Sequence, residues 1–299
     1  MIIQVKTPAK INLILEVLHK RSDGFHEIQS IMQAIDLCDV LTIEMKSLKT
    51  KENKIELSGN SDKIPYDETN LVYRAAEMFL QEAKKTGKEI KIHIEKNIPV
   101  SAGLAGGSSN AAGTLWGLNQ ICKKPLTPVQ LHDIAANLGS DVSFCLEGGT
   151  QMAASRGEVL SKIYTPELKI VVIKPKKIFI SAKEAYEKYS KLSKKPGSEG
   201  IEEMESAIYR DNLDKIPILI HNHLENAVLP DYPQLQAIKD YLTKKGCKNP
   251  LMSGSGPSVF GIYEDEIDLS DINSGWEYFL TNTINTGVSG KIIRRRPEH

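Results

Sequence analysis

Apolar residues recur along this chain at two different periods, and the change from one to the other marks its elements. Ile90-Lys-Ile-His-Ile-Glu95 places Ile90, Ile92 and Ile94 on one face, as a half-buried strand requires. Ile11, Leu13, Leu15 and Val17 alternate in the same way after a bend at Pro8, and Met1 to Val5 alternates more weakly. Lys10 and Asn12 then share the opposite face of that strand. Ser22-Asp-Gly24 reads as a turn, Phe25 begins a strand toward Met32, Asp39 to Glu44 a further strand, and 46–54 a charged hairpin tip. Helical spacing appears at Leu71, Ala75, Met78 and Phe79, with Thr69 or Asn70 as cap and Gly87 as stop. It returns at Leu131, Ile134, Ala135 and Leu138, between a Thr127 cap and Gly139. Leu168 to Pro175 reads as a buried strand, and Ser181 opens a helix holding Ala185, Tyr186 and Tyr189. Residues 194–200 form a loop, and 213–228 and 235–242 read as helices, the second stopped by Gly246.

Between the 90–94 strand and a helix carrying Ala111, Ala112, Leu115, Leu118 and Cys122 lies a run rich in Gly, Ala and Ser. It comprises Pro99, Val100, Ser101, Ala102, Gly103, Leu104, Ala105, Gly106, Gly107, Ser108 and Ser109. Strand, glycine loop and helix in that order bring bare backbone amides and the positive end of a helix to one place, where an anionic phosphate fits. Glycine also simply solves turns. No Gly-Lys-Ser/Thr follows, so this is not a Walker loop, and its glycine spacing is not that of the dinucleotide fingerprint. A second glycine segment, Leu251-Met-Ser-Gly-Ser-Gly-Pro-Ser-Val-Phe-Gly-Ile-Tyr263, precedes another strand.

Composition narrows the field. The chain has 299 residues, 40% of them hydrophobic and 25% charged, as in an ordinary globular protein of about two domains. Lys plus Arg and Asp plus Glu are both 38, so there is no basic excess to suggest nucleic acid, though a local basic pocket for phosphate remains open. Cys38, Cys122, Cys145 and Cys247 form no Cys-x-x-Cys pair. His221 and His223 stand close together without a neighbouring carboxylate cluster in sequence, which argues against a metal there. No signal peptide and no run of membrane-spanning length are evident, so a cytoplasmic protein without a membrane partner is expected. The acidic 264–271 run and Arg294-Arg-Arg296 read as solvated surface.

The run from Pro99 to Ala112 resembles the phosphate loop of the GHMP kinases, and the 251–263 segment resembles the third motif of that family. The resemblance implies an α+β fold in two domains. The first, 1–160, would resemble the ribosomal protein S5 domain 2-like fold and hold ATP; the second, 161–299, would be ferredoxin-like. Pro8-Ala-Lys-Ile-Asn-Leu13 with Phe25-His26 resembles the branch whose acceptor is a cytidine diphosphate-linked methylerythritol. On that resemblance Lys10 lies in the active site, Asn12 borders the acceptor, and Phe25 and His26 hold the cytosine by stacking and base-edge hydrogen bonds. Tyr186 would be the second face of that sandwich, or plain core. Asn70 would approach the adenine, cap its helix, or both. Lys96 would lie near the nucleotide or cytidine side, or be a plain surface lysine. Asp141 is a turn or cap aspartate by itself; by resemblance it is the general base that aims the acceptor hydroxyl at the γ-phosphorus. ATP and Mg2+ are the implied cofactors, with Ser109 reaching the metal. A monomer or weak homodimer is expected.

Asn110 stands where many relatives have Asp, and Ser143 replaces the usual proline after Asp141-Val142, which leaves that loop less stiff. A homoserine- or mevalonate-type kinase, a non-catalytic nucleotide-binding relative and an interaction scaffold are the alternatives.

Overall fold

The structure, a computed structural model, describes residues 1–197 and 200–293. Among these the strands are β1 (Ile2–Lys20), β2 (His26–Ser47), β3 (Lys54–Gly59), β4 (Lys88–Glu95), β5 (Thr150–Ala154), β6 (Val159–Ile163), β7 (Lys169–Pro175), β8 (His221–Asn222), β9 (Lys248–Met252), β10 (Val259–Tyr263), β11 (Trp276–Asn282) and β12 (Ser289–Ile293). The helices are α1 (Leu71–Glu82), α2 (Gly106–Ile121), α3 (Pro128–Leu138), α4 (Ser140–Glu147), α5 (Ala182–Ser190), α6 (Ile201–Tyr209), α7 (Ile216–Leu219), α8 (Glu225–Val228) and α9 (Pro233–Lys244).

Two sheets organise the chain. The first runs β12-β1-β2-β4-β3, with β5 on β2, β6 on β5 and β8 on β1. The second runs β11-β7-β10-β9, antiparallel throughout. Numbered by its own strands, the second sheet has the order four-one-three-two of a ferredoxin-like sheet. Strand β6 straddles the boundary expected at 160, and β12, from the far end of the chain, completes the first sheet.

Helix α2 lies across the first sheet. Gly113 and Gly117 explain how close it comes: a Cβ on Gly113 would sit 2.3 Å from Thr7 Cγ2, and one on Gly117 2.7 Å from Ile43 Cδ1. Ala111, Ala112, Leu115 and Leu118 are fully buried as well, so the helix is packed on the sides away from the sheet too, and its start is fixed relative to β1. Helix α3 carries the capping box of Thr127 with Gln130.

Several expectations are revised. β1 is continuous through Pro8, which it accommodates with a register shift between Pro8 and Ala9. The 46–54 segment is not a hairpin tip: β4 lies between β2 and β3, and β3 runs parallel to it. Helix α1 stops at Glu82, before Gly87, whose left-handed backbone instead bonds across to Leu48 and Lys51. The 213–228 helix is interrupted. Pro217 starts the short α7, and His221-Asn222 then extends to pair in parallel with Ile14-Leu15 of β1. The Arg294–Arg296 reading, and part of the 194–200 loop, lie outside the described residues. No described helix is long and apolar enough to cross a membrane.

Candidate active site

The glycine run is half loop and half helix. Ala105, in left-handed backbone with φ 55°, caps α2 without a side-chain hydrogen bond, so Gly106, Gly107 and Ser108 are already helical. The amides of this first turn have no acceptor within the helix, and together with the helix dipole they form an anion cradle. The second glycine segment clasps the first. Ser253 Oγ donates to Gly103 O at 3.0 Å, and Asn222 Nδ2 donates to both Met252 O and Gly254 O at 2.8 Å. Gly103 has φ +73°, and a Cβ there would lie 2.1 Å from Ser253 O. The Lys10 amide donates to Leu104 O at 3.1 Å, which ties β1 to the same loop.

Beside this cradle opens a cavity of about 890 Å³. Lys10, Asn12, Gly103, Ala105, Ser108 and Asp141 line it, as do Phe25, His26, Tyr186 and Ser190. Lys10 is buried, and its ammonium donates to Asn12 Oδ1 at 2.7 Å and stands 3.7 Å from Asp141 Oδ2. Asn12 Nδ2 is fixed by Ser30 Oγ at 2.8 Å. Asp141 sits in the first turn of α4, where a carboxylate is favoured by the helix dipole, and the turn forms with Ser143 in place of proline.

The Tyr186 ring stacks on His26 with centroids 5.2 Å apart, and the Arg156 guanidinium lies 5.0 Å from the Phe25 ring centre. Phe25 is 54% exposed, so an aromatic face is open to a ligand. Burial, then the charges of Lys195 and Lys20, lower the His26 pKa. Burial raises that of the Tyr186 phenol, and nearby Asp141 adds to the rise. The sequence hinted only at a local basic pocket; the fold supplies Lys20, Arg156, Lys183 and Lys191 to this wall in addition to Lys10, against the carboxylates of Asp141 and Glu187.

The side chains of three residues expected near the nucleotide or metal already have partners within the protein, Asn70 in the capping role that the sequence suggested. Asn70 caps α1 by accepting from the Val72 amide at 2.9 Å, while its Nδ2 donates to Pro65 O at 2.6 Å. Lys96, its side chain 6% exposed, pairs with Asp39, which also accepts from the Asn97 and Ile98 amides at 2.7 and 2.8 Å and from Asn110 Nδ2 at 2.9 Å. Its side chain therefore braces the loop from beneath, together with Pro99 and Val100, and borders a smaller cavity of about 160 Å³. Ser109 is fully buried, and its hydroxyl donates to Pro8 O at 2.7 Å, so it does not fit the part of a metal ligand. Asp39 escaped the sequence reading; the signal was an acid inside an otherwise alternating strand.

His221 and His223 do meet a carboxylate, Glu16, 205 positions away from His221, with one ligand atom of each within 4.8 Å of the others. The donor set does not suit a metal. His223 Nδ1 accepts from the Val17 amide at 3.1 Å, which puts the ring proton on Nε2, whereas a metal at Nε2 needs it on Nδ1. His221 donates to Leu219 O and faces Glu16 Oε1, both at 2.9 Å, as a hydrogen-bonded brace between β1 and β8.

Comparison with known proteins identifies the family and the fold. Residues 70–149 match the family described as GHMP kinases N terminal domain, and 204–280 match GHMP kinases C terminal. The 4-diphosphocytidyl-2-C-methyl-D-erythritol kinase of Caldicellulosiruptor bescii is 40% identical over 286 residues, covering 95% of this chain and 97% of its own. That of Geobacillus kaustophilus is 40% identical, covering 97% and 98%. A crystal structure of 4-(cytidine 5'-diphospho)-2C-methyl-D-erythritol kinase superposes with TM-score 0.78 at 29% identity, covering 94% of this chain and 98% of its own. Homoserine kinase from Cytophaga hutchinsonii, at TM-score 0.73 and 19% identity over 97% of each chain, shares the fold. The chain belongs to the GHMP kinase family, with its two-domain fold and ATP-dependent kinase chemistry, in the group of the 4-diphosphocytidyl-2-C-methyl-D-erythritol kinases.

Proposed function

We propose that this kinase transfers the γ-phosphoryl group of ATP to the 2-hydroxyl of 4-diphosphocytidyl-2-C-methyl-D-erythritol, a step of the non-mevalonate (methylerythritol phosphate) route to isoprenoid precursors. The observation that carries the reading is the Lys10–Asp141 pair, 3.7 Å apart, set between the open start of α2 and the Phe25–His26–Tyr186 wall. The amides of Gly106, Gly107 and Ser108 hold the terminal phosphates. Asp141 accepts the hydroxyl proton as the new oxygen–phosphorus bond forms and the bond to ADP breaks. Its main contribution is aim, since positioning and charge neutralisation dominate phosphoryl transfer. Lys10 offsets charge on the group in flight.

Lys20, Arg156, Lys183 and Lys191 match an acceptor that carries a diphosphate of its own, a demand that homoserine and mevalonate do not make. Phe25 and Tyr186 offer the base its stacking faces. Ser108, which lines the cavity, is the hydroxyl that would hold Mg2+ in place of buried Ser109, and the ion would supply neutralisation of the nucleotide's phosphates. The proposal includes a division into an ATP-binding domain, 1–160, which also carries Asn12, Lys20, Phe25, His26 and Arg156 of the acceptor wall, and a C-terminal kinase domain, 161–299, together with a cytoplasmic location and a monomer or weak homodimer.

The test is phosphorus NMR of the purified protein with ATP and the cytidyl alcohol. A new phosphomonoester resonance matched by ADP is expected. Phosphorylation of homoserine or mevalonate with none of the cytidyl alcohol would overturn the reading.

A further inference from the structure

His26 is held from the opposite side of the cleft. Its Nε2 lies 2.9 Å from the hydroxyl of Ser190, the last residue of α5, and that hydroxyl donates to Tyr186 O, one helical turn back, at 2.9 Å. A serine hydroxyl has one proton. With that proton directed to the Tyr186 carbonyl, Ser190 Oγ can only accept from the imidazole, so Nε2 carries the ring hydrogen. Nδ1 is left as a lone pair with no hydrogen bond to any described residue. Burial and the nearby lysines favour the neutral ring, which keeps that lone pair available.

We propose that Ser190 is a positioning residue for base recognition, fixing His26 with its proton on Nε2 so that Nδ1 offers an acceptor to the exocyclic amino group of cytosine and opposes the carbonyl oxygen of uracil. Cytosine presents a donor where uracil presents an acceptor, so the direction of one hydrogen bond separates them. The proposal rests on the cytidyl-acceptor reading above. It assigns discrimination to a residue that acts through the histidine it holds.

Two measurements test it. In long-range proton–nitrogen spectra, His26 of the unmodified enzyme should show the Nε2-protonated form, and Ser190→Ala should shift it toward a mixture. An Nδ1-protonated ring in the unmodified enzyme overturns the proposal, whatever the acceptor. In steady-state assays with the cytidyl alcohol and its uridine counterpart, Ser190→Ala should raise KM for the cytidyl alcohol about two- to tenfold, the worth of one net hydrogen bond. The preference for cytidine should narrow by the same factor, and Ser190→Thr should restore both. An unchanged cytidine-to-uridine ratio in Ser190→Ala, or a threonine variant that behaves like alanine, refutes the role. Absence of turnover of the cytidyl alcohol by the unmodified enzyme is a separate result that removes the acceptor reading first.

Discussion

Replacing Gly103 with alanine tests the clasp between the two glycine segments, and Gly246 provides the matched control. Both have left-handed backbone, φ +73° and +93°, so each replacement incurs the same conformational penalty of about 1–2 kcal/mol. They differ in surroundings. A Cβ at Gly246 meets nothing within 4 Å, whereas at Gly103 it meets Ser253 O at 2.1 Å, Gly256 O at 3.0 Å and Gly256 N at 3.1 Å. These are main-chain atoms that cannot rotate aside, so Gly103→Ala must push the segments apart, at a further cost of about 1–3 kcal/mol. At about 2–4 °C per kcal/mol, Gly103→Ala should melt roughly 2 to 12 °C below Gly246→Ala in a calorimetric scan. The shifted loop also moves the anion cradle, so kcat/KM for ATP should fall by about 10² in Gly103→Ala, the usual price of an ångström's misplacement. Gly246→Ala should keep the wild-type value. Equal melting temperatures, with kcat/KM for ATP preserved in Gly103→Ala, would refute the idea that the second segment holds the first in place.

Further outcomes follow from the same geometry. Asp141→Asn should lower kcat by about 10²–10⁴ while KM for ATP stays within about twofold in a coupled ADP assay; unchanged turnover would remove Asp141 as the base. Asp39→Asn leaves the Lys96 ammonium without its counter-charge, and urea titration should show a loss of about 3–5 kcal/mol. A loss under 1 kcal/mol would show that the loop does not depend on that pair. Because burial lowers the His26 pKa, the ring is neutral above its ordinary value of 6.5 and protonates only at lower pH. kcat/KM for the cytidyl alcohol should therefore hold steady from pH 8 to 6.5 and decline below that, and His26→Asn should abolish the inflection. A decline that begins above pH 6.5 would contradict the assignment.

The sequence revealed what depends on short-range order. Period-two and helical spacings located most strands and helices, and the glycine run was legible as a loop leading into a helix. Lys10 and Asn12 were legible as neighbours because alternate residues of a strand share a face. What stayed hidden depends on pairing between distant segments. Asp39 acquires its meaning from Lys96 and Asn110, 57 and 71 positions away. Lys183 on α5 and Lys191 just after it gain significance only because the fold sets them in the wall of the same cavity as Phe25. The 213–228 stretch reads as a helix because local propensity cannot register that β1 offers His221 and Asn222 a ladder to join. Likewise, nothing local could say that the Ser109 hydroxyl would face Pro8 and leave Ser108 toward the cavity.

The pairing of β12 with β1 has a consequence for synthesis. Residues Ile2 to Lys6 line up against Ser289 to Ile293, so β1 waits for a partner made much later in synthesis. A nascent chain still on the ribosome carries an unfinished edge there, with bare amides and carbonyls along a apolar strand open to other extended segments. Truncation before residue 289 would make that vulnerable interval permanent.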